Sequence, residues 1–509
     1  MTHPTVLIRH CDAYDAGRLA HILGEGMDAL GARPHGRTMI KPNVVVAVRG
    51  RYELAHTRAE FIEGLLAAVR ARDGDVTELA VGERSALTVP TRFGFHHAGY
   101  GPAIKRHRAK AYYFEEYPNV EVPLRHPDAL RPYVYVPTPV AACDFLINAP
   151  KLKAHAWCKM TCALKNYIGL QDSGHRIIDH DFHLHQKIVD LQEILTPGFI
   201  AVDAITAGEL TMMSPTPRRL GLIVMGTNQV AVDVVCAHIL GLDPHAVDHI
   251  RIAGARGLGP LDVADIALGG DVPFEEARAR GAGFQLSVEK VDAALRRKTD
   301  RITVHLGLPP DAHGGDYCWG GCPGALWETV ESLQRAWQPD VYERLRPMTY
   351  VFGDYRGAIN PKPGEPVIFF GDCACWRGRL NGRVVEVEST YTPHSRIDPR
   401  RHRASVDVVR ILLRFLWDRV RHWRRPYHRV YGCPASMHEH HVRLAFLGGA
   451  KNPYFDARLF LSFTSRYVWS NLVRRWRITA HSHLRRPAPG PQRAARAPLD
   501  TRHDLTGQP

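Results

Sequence analysis

The sequence predicts an α/β protein, with a mostly parallel sheet in an N-terminal domain and a smaller C-terminal α/β domain. Apolar β-branched runs alternate with runs of helical period from the N-terminus onward, a pattern typical of βαβ units. The chain has 509 residues, more than one hydrophobic core usually serves, and 45% of them are apolar. Two or three cores are therefore expected.

The first predicted strands are "TVLIRH", "RTMIKPNVVV" and "VTELAVGE", separated by the helices "RLAHILGEGMDAL" and "RAEFIEGLLAAVRAR". The strand pattern resumes with "YVYVP", "DFLINAP", "GFIAVDAI" and "LGLIVMG". The segment "NQVAVDVVCAHILGL" then predicts a helix, with Asn228 as its N-cap and Gly241 as its stop. This α/β domain is predicted to span residues 1–285.

A second set of strands follows a polar stretch, in "MTYVFGDY", "PVIFFGDCAC" and "HRVYGCPAS", with the helix "MHEHHVRLAFLGG" behind it. We predict a connecting region over residues 286–345, which holds the first cysteine pair, and a second α/β domain with basic helices over 346–480. Residues 481–509 are rich in Pro, Ala and Arg and offer little to bury, which predicts a disordered basic tail.

The net charge of +14 belongs to the end of the chain. Residues 401–509 hold 21 Lys and Arg against 6 Asp and Glu, which leaves 45 and 46 for the rest. The N-terminus lacks the features of a signal peptide, and no apolar run is long enough to cross a membrane. We therefore expect a cytoplasmic protein, whose ten cysteines stay reduced.

The stretch "INAPKLKAHAWCKMTCALKNYIGL" places four lysines directly after a buried strand, where ligands sit in parallel α/β sheets. If "KLKAHA" is extended, its two lysines and its histidine share one side. Beyond it a helix is predicted, which puts Cys158, Cys162 and Lys165 on one face. The predicted anion site comprises Lys151, Lys153, His155, Lys165 and Asn166. A solvated lysine run is the alternative, and the two cysteines are either metal ligands or small buried thiols.

Carboxylates at neighbouring strand ends add possible acid–base groups. Asp203 ends "FIAVD" and Glu83 ends another strand of the same sheet, so both could approach the lysines. Lys153, Lys165 and Asp203 are the predicted catalytic residues, whereas orientation of nearby loops is the alternative for the two carboxylates. For Asp233, a charge at a helix N-terminus is the simpler explanation.

These motifs resemble the domain-of-unknown-function family 362 over about residues 5–270. The Lys-Leu-Lys-x-His motif with Ala-Leu-Lys-Asn carries most of the resemblance. It implies a fold and a pocket without a defined reaction. In that family the two cysteine positions are usually threonine or another small residue, which argues against an obligatory metal role for Cys158 and Cys162.

Five further cysteines lie in "DYCWGGCPGAL", "FFGDCACWRG" and "VYGCPASMHEHH". Adjacent glycines let thiolates from three loops converge and leave backbone N–H groups free for cluster sulfides. Cys318, Cys322, Cys373 and Cys433 are the predicted ligands of a 4Fe-4S cluster; zinc or no metal are the alternatives. His438, His440 and His441 are expected at the surface.

The same pattern is similar to the proximal cluster site of nickel–iron hydrogenase small subunits and the related complex I subunit, over about residues 315–450. The resemblance implies a close cysteine pair, a Gly-x-Cys after a strand and a Gly-Cys-Pro that opens a helix. Here the pair is spaced C-x3-C and Ala435 replaces a second proline. The third ligand stays open, because Cys375 could replace Cys373.

The segment "SVDVVRILLRFLWDRVRHWRR" predicts a helix with a narrow basic stripe and a wide apolar face. A core helix is the simpler interpretation; contact with an anionic membrane surface or an acidic partner is the alternative, and no motif for reading nucleic-acid sequence is present.

Together these features predict an iron–sulfur redox enzyme or electron-transfer protein that acts on a small anionic metabolite or cofactor, with a possible redox partner protein. The alternatives are a binding or scaffold protein with a structural metal, and a non-redox enzyme that uses the lysines and carboxylates alone.

Overall fold

The structure is a computed structural model that describes residues 3–72, 74–87, 89–177, 179–180, 183–287, 290–309, 318, 321–391, 408–451 and 456–481. The predicted tail therefore lies outside the described residues except for position 481. The strands are β1 Thr5–His10, β2 Gly36–Pro42, β3 Val76–Glu83, β4 Lys110–Tyr113, β5 Asn119–Pro123, β6 Tyr133–Pro137, β7 Phe145–Ala149, β8 Lys151–His155, β9 Lys159–Thr161, β10 Phe199–Glu209, β11 Thr216–Gly226, β12 Ala267–Gly270, β13 Ile302–Leu306, β14 Met348–Asp354, β15 Val367–Leu380, β16 Arg383–Val387 and β17 His428–Val430.

The helices are α1 Ala16–Ala29, α2 Ala59–Arg70, α3 Thr91–Ala98, α4 Tyr100–Arg106, α5 Thr138–Ala141, α6 Ala163–Asn166, α7 Ser173–Ile177, α8 Leu184–Asp190, α9 Gln229–Ile239, α10 Asp248–Ala255, α11 Phe274–Gly281, α12 Val291–Lys298, α13 Cys322–Ala336, α14 Val341–Arg344, α15 Val408–Arg421, α16 Met437–Phe446 and α17 Ala457–His481. Within the described residues, none of these helices is both long enough and apolar enough to cross a membrane.

The larger sheet has ten strands in the order β12-β1-β11-β10-β7-β2-β3-β4, with β8 paired to β10 and β9 paired to β8. Most pairings are parallel, whereas β11 is antiparallel to both of its neighbours. Side chains along each strand alternate between two cores: Val6 and Ile8 contribute to one, and Leu7 to the other. This two-sided burial confirms the predicted α/β class.

Local signals behave as expected in α9. The side chain of Asn228 accepts a hydrogen bond from Ala231 N, which satisfies one of the free donors at the helix start. Gly241 adopts a φ of +72° directly after the C-cap, a conformation that costs glycine little. The predicted start and stop of this helix are confirmed.

The strand predicted at "YVYVP" is confirmed but lies outside the main sheet, and the helix predicted directly after His155 is wrong. The strand Tyr133–Pro137 pairs only with β5, in a separate two-stranded hairpin. The chain beyond His155 does not enter a helix: it turns back as β9, and the helix is limited to Ala163–Asn166. Antiparallel pairing of β8 with β9 satisfies backbone groups that a helix at this place would otherwise have bonded internally.

The second sheet has five strands, with β13-β14-β15-β16 in order and β17 against β15. Its core packs α13 against these strands. The last helix, α17, returns to the first sheet: Phe463 packs edge-on against Phe93, and Ser470 Oγ donates to Glu116 Oε1 at 2.8 Å. Helix α17 therefore packs on the first sheet unit.

Candidate functional site

A cavity of about 210 Å³ lies between the two sheet units. The lysine-rich β8–α6 region forms one wall, and the segment from Pro434 to His438, directly after the last predicted cysteine ligand, forms part of the opposite wall. The two motifs that the sequence predicted separately therefore face one cavity.

The predicted anion-binding residues divide into two groups. Lys153, His155, Lys165 and Asn166 line the cavity. Lys151 does not: its Nζ lies 3.0 Å from Asp203 Oδ1 and donates to Tyr14 Oη at 2.9 Å. Both partners of this ion pair are fully buried. Asp203, predicted as catalytic, is thus held in a closed ion pair away from the cavity.

Asn166 belongs to a similar closed network. Lys41 Nζ donates to Glu83 Oε2 at 2.7 Å and to Asn166 Oδ1 at 3.2 Å, and all three side chains are buried. Gly169 is needed beside this pair, because a Cβ there would lie 2.0 Å from Glu83 Oε1. Glu83 therefore orients the loop and neutralises a lysine, as one of the two sequence interpretations expected.

Asp233 also has a backbone role. Its two carboxylate oxygens accept from Ala163 N at 2.8 Å and Leu164 N at 3.2 Å. These N–H groups open α6, so the carboxylate satisfies donors at the start of the helix that carries Lys165. Burial raises the pKa of Asp233 to about 7.

The cavity wall carries donors without acceptors. His155 Nδ1 accepts from Trp157 N and Cys158 N, so its proton is on Nε2, which is buried and unpartnered in the described part of the chain. The same holds for Arg84 Nε, Trp157 Nε1 and the hydroxyl of Thr161. All four residues line the cavity.

Lys153 and Lys165 differ in how their ammonium groups are satisfied. Lys153 Nζ donates to the carbonyls of Ala55 and Met212, at 2.9 and 2.7 Å. Lys165 Nζ makes no hydrogen bond or ion pair to the described residues. Burial lowers the pKa of Lys153 to about 7, helped by the charge of Lys165, and burial lowers the pKa of Lys165 to about 8. Both lysines are thus poised to gain or lose a proton near neutral pH.

The three cysteine loops come together at two glycines. A Cβ at Gly371 would lie 3.4 Å from Cys322 Sγ and 3.6 Å from Cys373 Sγ, and one at Gly321 would lie 2.8 Å from Cys318 Sγ. Gly371 also has a φ of +96°. The backbone N–H of Ala435 donates to Cys322 Sγ at 3.3 Å. Glycine thus opens the space around the sulfurs, and a backbone donor points at one of them.

The environment separates Cys373 from Cys375. Cys373 shares the Gly371 position with Cys322, whereas Cys375 lies opposite Asp354, whose charge and hydrogen bond help burial to raise the pKa of its thiol. Arg429 is buried nearby, and its charge acts on both cysteines. The open space at Gly371 and the nearby Arg429 suit a metal–thiolate donor set that includes Cys373.

The expectation for the three histidines of α16 is wrong. His440 is fully buried, stacks on Phe370 at 3.8 Å between ring centroids, and contacts the carbonyl of Cys322 through Nε2 at 3.0 Å. His438 and His441 line the cavity. The local pattern of "MHEHHVRLAFLGG" gave no sign that α16 would pack its polar residues inward.

One group of possible metal ligands was not predicted from the sequence. Cys158, His185 and His249 each offer a ligand atom, and these atoms lie within 4.8 Å of one another. They could hold a metal ion; elsewhere in the described chain no other group of three or more such residues meets this spacing. The four thiolates of a 4Fe-4S cluster bind different irons and lie further apart than ligands of one metal ion. The 4.8 Å spacing therefore does not test the four predicted cluster cysteines. The histidine-rich "HDFHLHQK" was the available signal.

Comparison with known proteins confirms the first resemblance in part. Residues 38–238 match the family model described as "Domain of unknown function (DUF362)". The Thylakoid-associated protein sll1697 of Synechocystis sp. is 25% identical over 270 residues, which cover 50% of this chain and 80% of that protein. The family match ends at residue 238, so the hydrogenase-like resemblance stays a prediction.

Two solved structures are similar at a low level. The lactate racemase apoprotein from Thermoanaerobacterium thermosaccharolyticum gives a TM-score of 0.33 with 8% identity, over 48% of this chain and 58% of that chain, less than two thirds of its length. A structural-genomics protein from Thermotoga maritima gives 0.29 with 11% identity, over 67% and 71%.

Proposed function

We propose that this protein binds a small anionic molecule in the cavity between its two sheets and exchanges electrons with it. Cys318, Cys322, Cys373 and Cys433 would hold a 4Fe-4S cluster, which supplies one-electron chemistry. The bound molecule has a carboxylate or phosphate head and an apolar body. The protein is then a redox enzyme or an electron-transfer protein.

The set of unpartnered donors carries this proposal. His155 Nε2, Arg84 Nε, Trp157 Nε1 and Thr161 Oγ1 are buried on one cavity wall without acceptors among the described residues. A buried donor left without a partner costs about 1–3 kcal/mol, so four on one wall are costly unless a ligand accepts from them. An anion with several acceptor oxygens satisfies such a set.

The charge balance of the wall points to the same ligand class. The cavity is lined by four cationic side chains, Arg84, Lys153, Lys165 and Arg176, and by one carboxylate, Glu83, which is already paired with Lys41. Gathering ammonium and guanidinium groups at a partly enclosed site costs repulsion until a counter-charge arrives.

Another part of the lining is apolar. Val46, Val48 and Phe93 pack in one cluster with Phe463, and all four contribute to the cavity. This surface comes from different segments than the cationic wall. A ligand that fills both ends has an apolar body attached to its anionic head, which excludes a bare inorganic ion as the full occupant.

The position of the cysteine loops supports the redox step. Gly321, Pro434 and Ala435 line the cavity: Gly321 adjoins Cys322, Pro434 adjoins Cys433, and Ala435 N donates to Cys322 Sγ. A group held by these cysteines would therefore lie close to the bound molecule.

The anion site is tested with Lys165→Met, because Lys165 makes no hydrogen bond or ion pair to the described residues. Acetate and hexanoate share a carboxylate, and each should raise the melting temperature of the full-length protein, with a larger rise for hexanoate. Lys165→Met should lower both shifts by at least half while the fold is kept. Lys159→Met is the matched control, because Lys159 is bonded to the carbonyl of Ala246 and does not line the cavity.

Equal shifts in wild type and Lys165→Met would place the anion elsewhere. Equal shifts with acetate and hexanoate would remove the apolar end from the proposal while keeping the anion.

The cluster is tested by anaerobic purification with iron and sulfide analysis. Cys373→Ser should lose iron, and Cys375→Ser should keep it. The reverse result transfers the ligand role to Cys375. A colourless protein that holds zinc or no metal after anaerobic reconstitution contradicts the redox function, and intact anion binding would then favour the non-redox enzyme or the binding protein.

A second candidate function is attachment to an anionic membrane surface through α15. At 100° per residue its exposed apolar side chains fall within about 100° of arc. They are Val409, Leu413, Leu416, Trp417 and Val420, each 44–71% exposed. Arg410, Arg414 and Arg421 lie beside this stripe on the same helix, whereas Ile411 and Phe415 anchor the opposite side in the core.

Exposed Trp and Leu next to Arg is the pattern of a helix that lies in a membrane interface. The core-helix interpretation explains only Ile411 and Phe415. The relative from Synechocystis is named as thylakoid-associated, which agrees with a membrane-surface location.

Co-sedimentation with vesicles tests this candidate. The protein should bind vesicles that contain phosphatidylserine and not those of phosphatidylcholine alone, and Leu413→Ser with Trp417→Ser should abolish binding. Val384→Ser, an exposed apolar residue on β16, is the control. Unchanged binding by the double variant contradicts the assignment; a dimer that the same variant dissociates would assign the stripe to a second copy.

A further inference from the structure

Three separate elements meet next to the end of the lysine-bearing strand β8. They are the turn between β8 and β9, which carries Cys158, helix α8 with His185, and helix α10 with His249. The three ligand atoms lie within 4.8 Å of one another, so an ion at the centre of the triangle they form would be at most about 2.8 Å from each. Small side-chain rotations then reach the 2.0–2.3 Å bonds that zinc makes to nitrogen and sulfur.

Three of the four ring nitrogens in this cluster lack a hydrogen-bond partner among the described residues. His249 is fully buried, and neither of its ring nitrogens has a hydrogen-bond partner in the described chain; His185 Nδ1 is likewise unpartnered. The two rings stack with centroids 5.8 Å apart. Burying a polar ring with both nitrogens unsatisfied is costly, and a metal ion removes part of that cost by accepting the lone pair of one nitrogen.

The turn that presents Cys158 is held in an uncommon conformation. Lys159 has a φ of +63°, which is rare for a residue with a side chain and is kept only where the surroundings enforce it. His155 Nδ1 accepts from the N–H groups of Trp157 and Cys158, and Lys159 Nζ donates to the carbonyl of Ala246, just before α10. The turn is thereby fixed against the helix that carries His249.

A carboxylate stands behind one of the imidazoles. Asp248 Oδ2 lies 3.7 Å from His185 Nε2, while His185 Nδ1 is the unpartnered nitrogen. Imidazoles that ligate zinc usually donate a hydrogen bond from their other nitrogen to a carboxylate or carbonyl, and Asp248 is the carboxylate near that side of His185. Asp248 also pairs with Arg251, at 2.9 Å, so it is fixed at the start of α10.

We propose that Cys158, His185 and His249 bind one zinc ion. One thiolate and two neutral imidazoles are a borderline-soft ligand set that suits zinc, and three protein ligands leave a fourth position for water or a substrate atom. On binding, the Cys158 thiol releases its proton to solvent, and the imidazoles contribute lone pairs without losing protons. This site is separate from the proposed cluster and does not depend on it.

The small residue usual at position 158 in the family gave the opposite expectation. Cys158 lies beside two histidines that are not part of the family motif, and one of them is 91 positions further along the chain. Cys162, by contrast, contacts Asp233 and Cys236, so the two cysteines of the stretch lie in different environments.

Zinc content measured by mass spectrometry, after equilibration of the full-length protein with zinc and removal of excess, tests the site. Cys158→Ser and His249→Ala should each hold one zinc fewer than wild type. Cys162→Ser, which alters a buried thiol of the same stretch, should hold as many as wild type. Metal bound by the four other cysteines is common to all variants and cancels in the difference.

Equal zinc content in all variants would overturn the proposal. A measurement on the wild type guards against variants that fail to fold: crystals grown with zinc should give an anomalous peak at the zinc edge among Cys158 Sγ and the two imidazoles. Density without an anomalous peak there would equally overturn it.

Discussion

Lysines in buried or largely buried positions occur in two neighbouring regions of the first sheet unit, and their charges are satisfied in opposite ways. In the paired layer, Lys41 and Lys151 are each within 3.0 Å of a buried carboxylate, Glu83 and Asp203. On the cavity wall, Lys165 makes no ion pair to the described residues. Lys151 and Lys165 come from one stretch of chain, so the difference between them is one of partners.

This difference separates structural from binding lysines. A buried ammonium beside a carboxylate is already neutralised, and removal of either member leaves an uncompensated buried charge. A buried ammonium without a carboxylate loses its proton more easily, and it can be neutralised by a ligand instead. A bound anion would therefore neutralise the cavity wall, as carboxylates of the chain already neutralise the paired layer.

The largest expected difference between the two regions is in the free energy of unfolding. Lys151→Met leaves Asp203 buried with only Tyr14 and a backbone N–H as donors, and should cost about 3–5 kcal/mol of the free energy of unfolding. Lys165→Met should change it by less than about 1 kcal/mol, because no partner in the described chain is stranded. Urea unfolding followed by fluorescence measures both.

Adding Asp203→Asn to Lys151→Met supplies the control, because the double variant should regain part of the loss if the two side chains are coupled. Similar destabilisation by Lys151→Met and Lys165→Met would show that the two regions do not differ.

The next effect is the pH dependence of anion binding. Burial holds the pKa of Lys153 at about 7 and that of Lys165 at about 8 in the free protein, and a bound anion raises both. The protonated lysines bind best, so affinity is full below pH 7 and falls as pH rises through these values. The dissociation constant of hexanoate, which stays ionised throughout, should rise about tenfold to a hundredfold between pH 7 and 9.

Calorimetry across this range measures the constant, and Lys165→Met should flatten the dependence. A wild-type affinity that is constant from pH 6 to 9 would mean that neither lysine changes its protonation on binding.

The sequence predicted the layers of the fold better than the partners of its polar groups. Alternating apolar runs identify β1, β2 and β3, and Asn228 and Gly241 mark the ends of α9, because these signals are local. The division between Lys151 and Lys165 was beyond reach, because it depends on Tyr14, Asp203 and other residues far away in the chain. The turn into β9 was missed for the same reason: this three-residue strand is specified by its pairing with β8 rather than by its own pattern.

The smallest effect concerns the hydroxyl that sits inside the paired layer. Tyr14 Oη donates to Asp203 Oδ1 at 2.8 Å and accepts from Lys151 Nζ at 2.9 Å. Tyr14→Phe removes these bonds but leaves the lysine and the carboxylate 3.0 Å apart, so it should cost about 1.5 kcal/mol in urea unfolding, well below Lys151→Met. Tyr100→Phe, which deletes a buried hydroxyl bonded to the carbonyl of Thr57, calibrates the loss of an uncharged bond. If Tyr14→Phe costs as much as Lys151→Met, the tyrosine rather than the carboxylate satisfies the lysine, and the ion pair is not what distinguishes this layer from the cavity wall.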